Sequence, residues 1–146
     1  GVDELPIAAG SDHYLYDHES GLDDGSTVPA SAIAANIESS QIDLGDGDQF
    51  AFLSRLIPDI TFRDSTANTP TATFTLGVRN FPGGKYLETN ANAINKVAST
   101  PVEQFTKEVR TRLRGRSFNL KIESTATETT WRLGTSRVEV RPDGRR

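Results

Sequence analysis

The sequence predicts an all-β fold, an antiparallel β-sandwich of jelly-roll-like type, on three observations. Apolar residues recur with a period of two along much of the chain, little of it carries helical period, and Gly, Pro and Asp turns cut it into short runs. At 146 residues the chain has one domain's length and enough mass to bury a core without disulfides or metals. Part of a larger chain containing a β-propeller is the second architecture the pattern fits.

Taken in order, residues 1–30 are rich in Gly, Asp and Ser and read as an acidic, largely irregular arm in which only His13-Tyr14-Leu15-Tyr16 looks structured. The sandwich domain is expected over 31–146. Ile33, Ala35 and Ile37 share one parity and Ile42 and Leu44 the other, so a bulge near Ser39-Ser40 is expected in a bent strand. After the turn Asp46-Gly47-Asp48, the residues Phe50, Phe52, Leu56, Ile60 and Phe62 keep one parity, which reads as a second strand joined to the first as a hairpin. Thr71 to Phe81 alternates again, with Phe74, Leu76 and Val78 inward; residues 85–103 lack an apolar stripe and read as a long loop. From Gln104, Val109 and Leu113 alternate with Arg110, Arg112, Arg114 and Arg116. The phase then slips to Phe118, Leu120 and Ile122, as if a bulge after Gly115 turned Arg116 and Ser117 outward. Trp131, Leu133, Val138 and Val140 form a closing strand. The expected core is Phe50, Phe52, Phe62, Phe74, Leu76, Phe118, Leu120, Ile122 and Trp131.

Charge is the most uneven property of the chain. All eleven acids of the first fifty residues stand without a Lys or Arg among them, whereas all 16 basic residues fall between Arg55 and Arg146, giving formal charges of -11 and +7 for the two stretches. Such a layout suits a part that meets copies of itself charge to charge, because complementary fields fix partner and register. The arginines at 110, 112, 114 and 116 sharpen this, since a period of two sets them on one face of one strand. Arg pairs with carboxylate or phosphate through a planar fork, so acidic protein surface and nucleic acid are both candidate partners. The aromatic residues alternate with aliphatics as core and do not interleave with the basic ones as a stacking platform, which favours a subunit boundary for the Arg row.

Signals for chemistry are weak. His13 and His18 are five apart, which does not place them on one helical face, and with no Cys the chain has no thiolate ligand or Cys nucleophile. No Ser sits in a G-x-S-x-G elbow. The run Asp43-Leu44-Gly45-Asp46-Gly47-Asp48 resembles a calcium loop, but the twelfth position falls on Ser54 or Ile57, neither of which can replace the bidentate Glu. Asp and Gly as turn residues explain it better, as they do Asp23-Asp24. No metal, no cofactor and no catalysis are therefore expected. No run reaches the roughly 20 apolar residues of a membrane-spanning helix, so no membrane partner is expected. A chain with no Met that starts at Gly1 reads as part of a longer polypeptide.

The string Leu113-Arg114-Gly115-Arg116-Ser117-Phe118-Asn119-Leu120-Lys121-Ile122-Glu123-Ser124, with Trp131-Arg132-Leu133-Gly134 and Arg141-Pro142-Asp143-Gly144-Arg145-Arg146, resembles the carboxyl end of virion structural proteins of short-tailed bacteriophages. Residues Ala35 to Gly47, Arg55 to Phe62 and Arg79-Asn80-Phe81-Pro82-Gly83 resemble the same proteins in the same order. The resemblance spans 31–146, and residues 1–30 match less well. It implies a tail-nozzle or packaged-DNA-stabilising type of component: a homo-oligomer forming a ring in the phage tail, in contact with other tail or portal-proximal proteins and with packaged DNA. The family has no catalytic residues to carry over.

A carbohydrate-binding β-sandwich that contacts host surface glycans is the alternative, because jelly-roll folds host lectins. Its sugar-stacking candidates would be Trp131, Tyr14, Tyr16 and Tyr86, and Trp131 shares strand parity with Leu133, which points it toward the core.

Overall fold

The computed structural model describes residues 6–18, 20–43, 45–81, 83–84 and 96–145, and within them the chain is all β. The strands are β1 (Ile7–Ala9), β2 (Leu15–Asp17), β3 (Ala35–Glu38), β4 (Ile42–Asp43), β5 (Ala51–Ile57) and β6 (Ile60–Thr61). They continue as β7 (Thr71–Arg79), β8 (Val97–Glu103), β9 (Val109–Gly115), β10 (Ser117–Ser124), β11 (Arg132–Leu133) and β12 (Arg137–Pro142). A five-stranded sheet runs β3–β10–β7–β8, with β4 also on β10; a three-stranded sheet runs β12–β5–β9; and β1–β2 and β6–β11 form small pairs. Every pairing is antiparallel. No closed barrel or propeller occurs among the described residues, so the sandwich is the architecture.

One apolar cluster fills the space between the sheets. The five-stranded sheet contributes Ala72, Phe74, Leu76, Val78, Val102, Phe118 and Ile122, the three-stranded sheet Leu53, Leu56, Val109 and Leu113, and Phe62 closes one end. Alternation creates it: β7 reads Ala72, Phe74, Leu76, Val78 inward, and β10 answers with Ile122 opposite Phe74 and Phe118 opposite Val78. Each such side chain is stabilised by about 1.5–3 kcal/mol on leaving water.

The expected bulge at Ser39-Ser40 is present. Glu38 pairs with Lys121 and Ile42 with Phe118, so three residues of the edge face two of β10. Ser39 bridges the gap: its N–H donates to Leu120 O at 2.9 Å and its Oγ accepts from Leu120 N at 3.0 Å.

Several expectations are corrected. The strands either side of the Asp46–Asp48 turn do not pair with each other; β3 and β4 pair with β10, and β5 pairs with β9 and β12, so this turn carries the chain from one sheet to the other. Phe50 and Phe52 are not core. Ala51, Leu53 and Leu56 face inward instead, because the register of β5 against both neighbours shifts around Ser54 and turns two residues three apart to the same side. Residues 97–103 are not loop but the edge strand β8, where Pro101 is tolerated because one side of the strand has no ladder to complete. At Arg116 the chain does not bulge within one strand; it crosses from β9 in one sheet to β10 in the other, and Ser117 is buried rather than outward. Arg116 N donates to Arg79 O at 2.7 Å to fix that corner. The closing segment is likewise divided, β11 pairing with β6 and β12 with β5. Leu120 and Trp131 pack on the core but are only partly buried.

Within the acidic arm, β1 and β2 form a hairpin, and Asp23 ties the following loop to the sandwich by accepting Glu128 N–H on both carboxylate oxygens at 2.8 and 2.9 Å.

Candidate subunit-contact face

Because Val109, Thr111 and Leu113 of β9 point into the sandwich, Arg110, Arg112 and Arg114 point out of it. Two cross-strand rows then build the outer face of the three-stranded sheet. In one, Arg141, Phe52 and Arg114 lie side by side; in the other, Glu139, Arg55 and Arg110 do. The second row is an alternating charge ladder with Glu108 added. Arg141 Nη2 lies 2.7 Å from Glu139 Oε1, Arg55 Nη1 3.3 Å from Glu108 Oε2, and Arg110 Nε 3.1 Å from Glu108 Oε1. Arg55 Nε is 3.0 Å from Glu139 Oε2 but off the line of its N–H, so that contact is charge to charge rather than a hydrogen bond.

The ladder acts on its acids as expected. Hydrogen bonds from Arg110 and then Arg55 hold the Glu108 carboxyl below its ordinary range, and Arg141 does most of the same for Glu139 with Arg55 adding charge.

The four arginines of the sequence pattern therefore stand in four different situations. Arg110 is engaged by Glu108. Arg114 is ion-paired to Asp143, donates from Nη2 to Asp143 O at 3.0 Å, and sets its guanidinium 4.0 Å from the centre of the Phe50 ring. Arg116, at the corner between sheets, places its guanidinium 4.8 Å from the same ring. Arg112 is exposed and has no ion pair among the described residues. A shallow recess of about 420 Å³ lies beside it, lined by Phe52, Ser54, Arg110, Thr111 and Arg112.

Aromatics do interleave with the basic residues here, contrary to the sequence reading, since Phe50 and Phe52 both stand among arginines. The residues that sequence reasoning missed are Arg55, Glu108, Glu139, Arg141 and Asp143. One signal could have found two of them: Arg137-Val138-Glu139-Val140-Arg141 alternates as cleanly as β9 does.

Elsewhere the polar groups serve the fold. Asp24 accepts Ser26 N–H at 2.9 Å, and the 45–48 turn uses Gly45 and Gly47 at φ of 65° and 74°. His13 and His18 are exposed, and no group of three or more His, Asp or Glu gathers as a metal set among the described residues. Of the sugar-stacking candidates, Trp131 packs on the core, Tyr16 donates its hydroxyl to Asp12, Tyr14 is exposed, and Tyr86 lies outside the described residues, as does the rest of 85–95.

No protein-family model matches the chain, and a search of curated proteins finds no significant match.

Proposed function

We propose that this chain is a structural module of a short-tailed bacteriophage virion, in the nozzle or hub ring of the tail, which assembles with copies of itself and carries out no catalysis. The observation that carries this reading is the outward β12–β5–β9 face, where arginines predominate, in a molecule whose first fifty residues hold eleven acids and no base. Opposite fields on one polypeptide make each copy the complement of the next. The strings across residues 31–146 that resemble tail proteins supply the virion part of the reading.

Protein is a better occupant of this face than nucleic acid even though Phe50 and Phe52 join the arginines. Glu108, Glu139 and Asp143 are set among the guanidinium groups, and a phosphate backbone would be repelled by each of them. A partner that offers isolated carboxylates can set them against Arg112 and away from these acids.

Sedimentation velocity tests the assembly. Self-association is expected at low salt and is expected to weaken toward about 1 M, where the screening length falls to about 3 Å; association that strengthens with salt would count against charged faces. Mass spectrometry of purified particles tests the location, and peptides of this chain absent from the tail would overturn it.

A further inference from the structure

The five-stranded sheet is wider than the sheet that covers it. Ile37 pairs with Ile122 and Ile42 with Phe118, so both isoleucines stand on the same side of the sheet as the buried core residues opposite them. Yet Ile37 is 51 % exposed and Ile42 44 %, while Ile122 and Phe118 are buried. The apolar face of the core thus continues past its own cover at the β3–β4 edge. The edge is also acidic: Asp43 in β4 and Asp46 in the turn after it are exposed, and neither has an ion pair among the described residues. An edge that is apolar and anionic together requires a cover that is apolar and cationic.

Among the described residues, the recess of the β5–β9 bulge is such a surface. Phe52 supplies apolar area, and Arg112 supplies a guanidinium with no ion pair among the described residues. The Ser54 hydroxyl beside them is buried without a hydrogen-bond partner. We infer that this recess of one copy receives the β3–β4 edge of a second copy, with Ile37 and Ile42 over Phe52 and Asp46, in the turn that follows, against Arg112. The two surfaces are different parts of the molecule, so the contact is head to tail and each copy keeps one of each free for the next; repetition closes a ring or extends a filament. The inference rests on the proposal that the chain assembles with itself, and it names the surfaces.

Four variants of the full chain, followed by sedimentation at low salt, test it. Arg112→Asp and Asp46→Arg should each weaken self-association at least roughly tenfold, because like charges then face each other at the contact. The double swap Arg112→Asp/Asp46→Arg should restore most of it. Arg112 makes no ion pair within the described residues, so its variants should melt as the parent does; Arg112→Gln, which keeps the stem without the charge, covers the case in which the aspartate does not fold and should weaken association severalfold. A parent chain that assembles while Arg112→Asp and Arg112→Gln assemble equally well overturns this interface and leaves the assembly proposal standing. Single variants that weaken association without rescue by the swap overturn the pairing of Arg112 with the acidic edge. A parent that stays monomeric at every concentration and salt overturns both.

Discussion

Gly115 stands so close to Val78 that a Cβ built on it would lie 2.7 Å from the Val78 Cβ and 2.9 Å from Arg79 O. The contact exists because β9 ends at Gly115 and the chain steps at once onto the opposite sheet, bringing its backbone against the wall of β7. Gly115→Ala must therefore push the sheets apart or bend the corner, and an overpacked core of this kind costs about 1–3 kcal/mol. Urea unfolding of Gly115→Ala should show a lower midpoint at unchanged slope. A variant as stable as the parent would mean that the corner has room.

The outer ladder gives stability a pH dependence of predictable sign. Glu108 and Glu139 have depressed carboxyl pKa values in the folded state, held by Arg110 and Arg141 first and by Arg55 from between them. Their contribution is present above the ordinary carboxylate range and disappears as pH falls through the folded values. Melting temperature should therefore fall on acidification from about pH 7 to about pH 3. In Arg55→Ala, where both acids lose a partner, the slope of that fall should be shallower. All these groups are on the surface, so the effect is also expected to shrink in high salt. Equal slopes in parent and variant would show that Arg55 does not couple the two acids.

Phe52 and Phe74 separate the observed strand orientation from the one the sequence suggested. Phe74 is buried to 1 % exposure in the middle of β7, whereas Phe52 lies on the outer face between Arg141 and Arg114. Phe74→Ala should cost about 3–5 kcal/mol by creating a cavity. Phe52→Ala should cost well under half of that, since no core volume is vacated. Chemical denaturation of the two variants side by side decides it, and equal losses would place Phe52 inside.

Strands with a single uninterrupted parity were legible in the sequence. Phe74, Leu76 and Val78 are inward as the pattern demands, and Phe118 and Ile122 answer them across the sheet. Even the bulge at Ser39-Ser40 could be read, because Ile37 and Ile42 change parity on the two sides of it. Parity is no guide where the ladder itself shifts. In Ala51-Phe52-Leu53-Ser54-Arg55-Leu56 both parities are populated by apolar residues, and only the register against β9 and β12 decides that Leu53 and Leu56 go inward together. Edge strand β8 escaped notice for a different reason: one side of it needs no partner, so Ser99 and Pro101 are tolerated and its apolar signal reduces to Val97, Ala98 and Val102. The Arg row was visible in one strand. That it shares a face with Glu139 and Asp143 was not, because β12 and the residues after it reach the row only across a third strand whose neighbours no local pattern specifies.

The Ser39 hydroxyl performs a task that the backbone performs elsewhere in the sheet. Where the β3–β4 edge gains its extra residue, no carbonyl of the edge faces Leu120 N, and the Ser39 Oγ accepts that N–H at 3.0 Å while donating to Ser40 O at 2.9 Å. The side chain thus completes the ladder across the bulge, with Ser39 N returning the bond to Leu120 O. Ser39→Ala leaves the Leu120 N–H, in a partly buried strand, without its acceptor. The cost of such an orphaned donor is about 1–3 kcal/mol, and its position predicts where the loss is felt: amide exchange at Leu120 should accelerate more than at Phe74 or Val78, whose own strand is untouched. Ser39→Thr keeps the acceptor and suits an extended backbone, so it should retain most of the stability. Alanine and threonine variants of equal stability, with unchanged exchange at Leu120, would show that water replaces the hydroxyl and that the bulge is held by β10 alone.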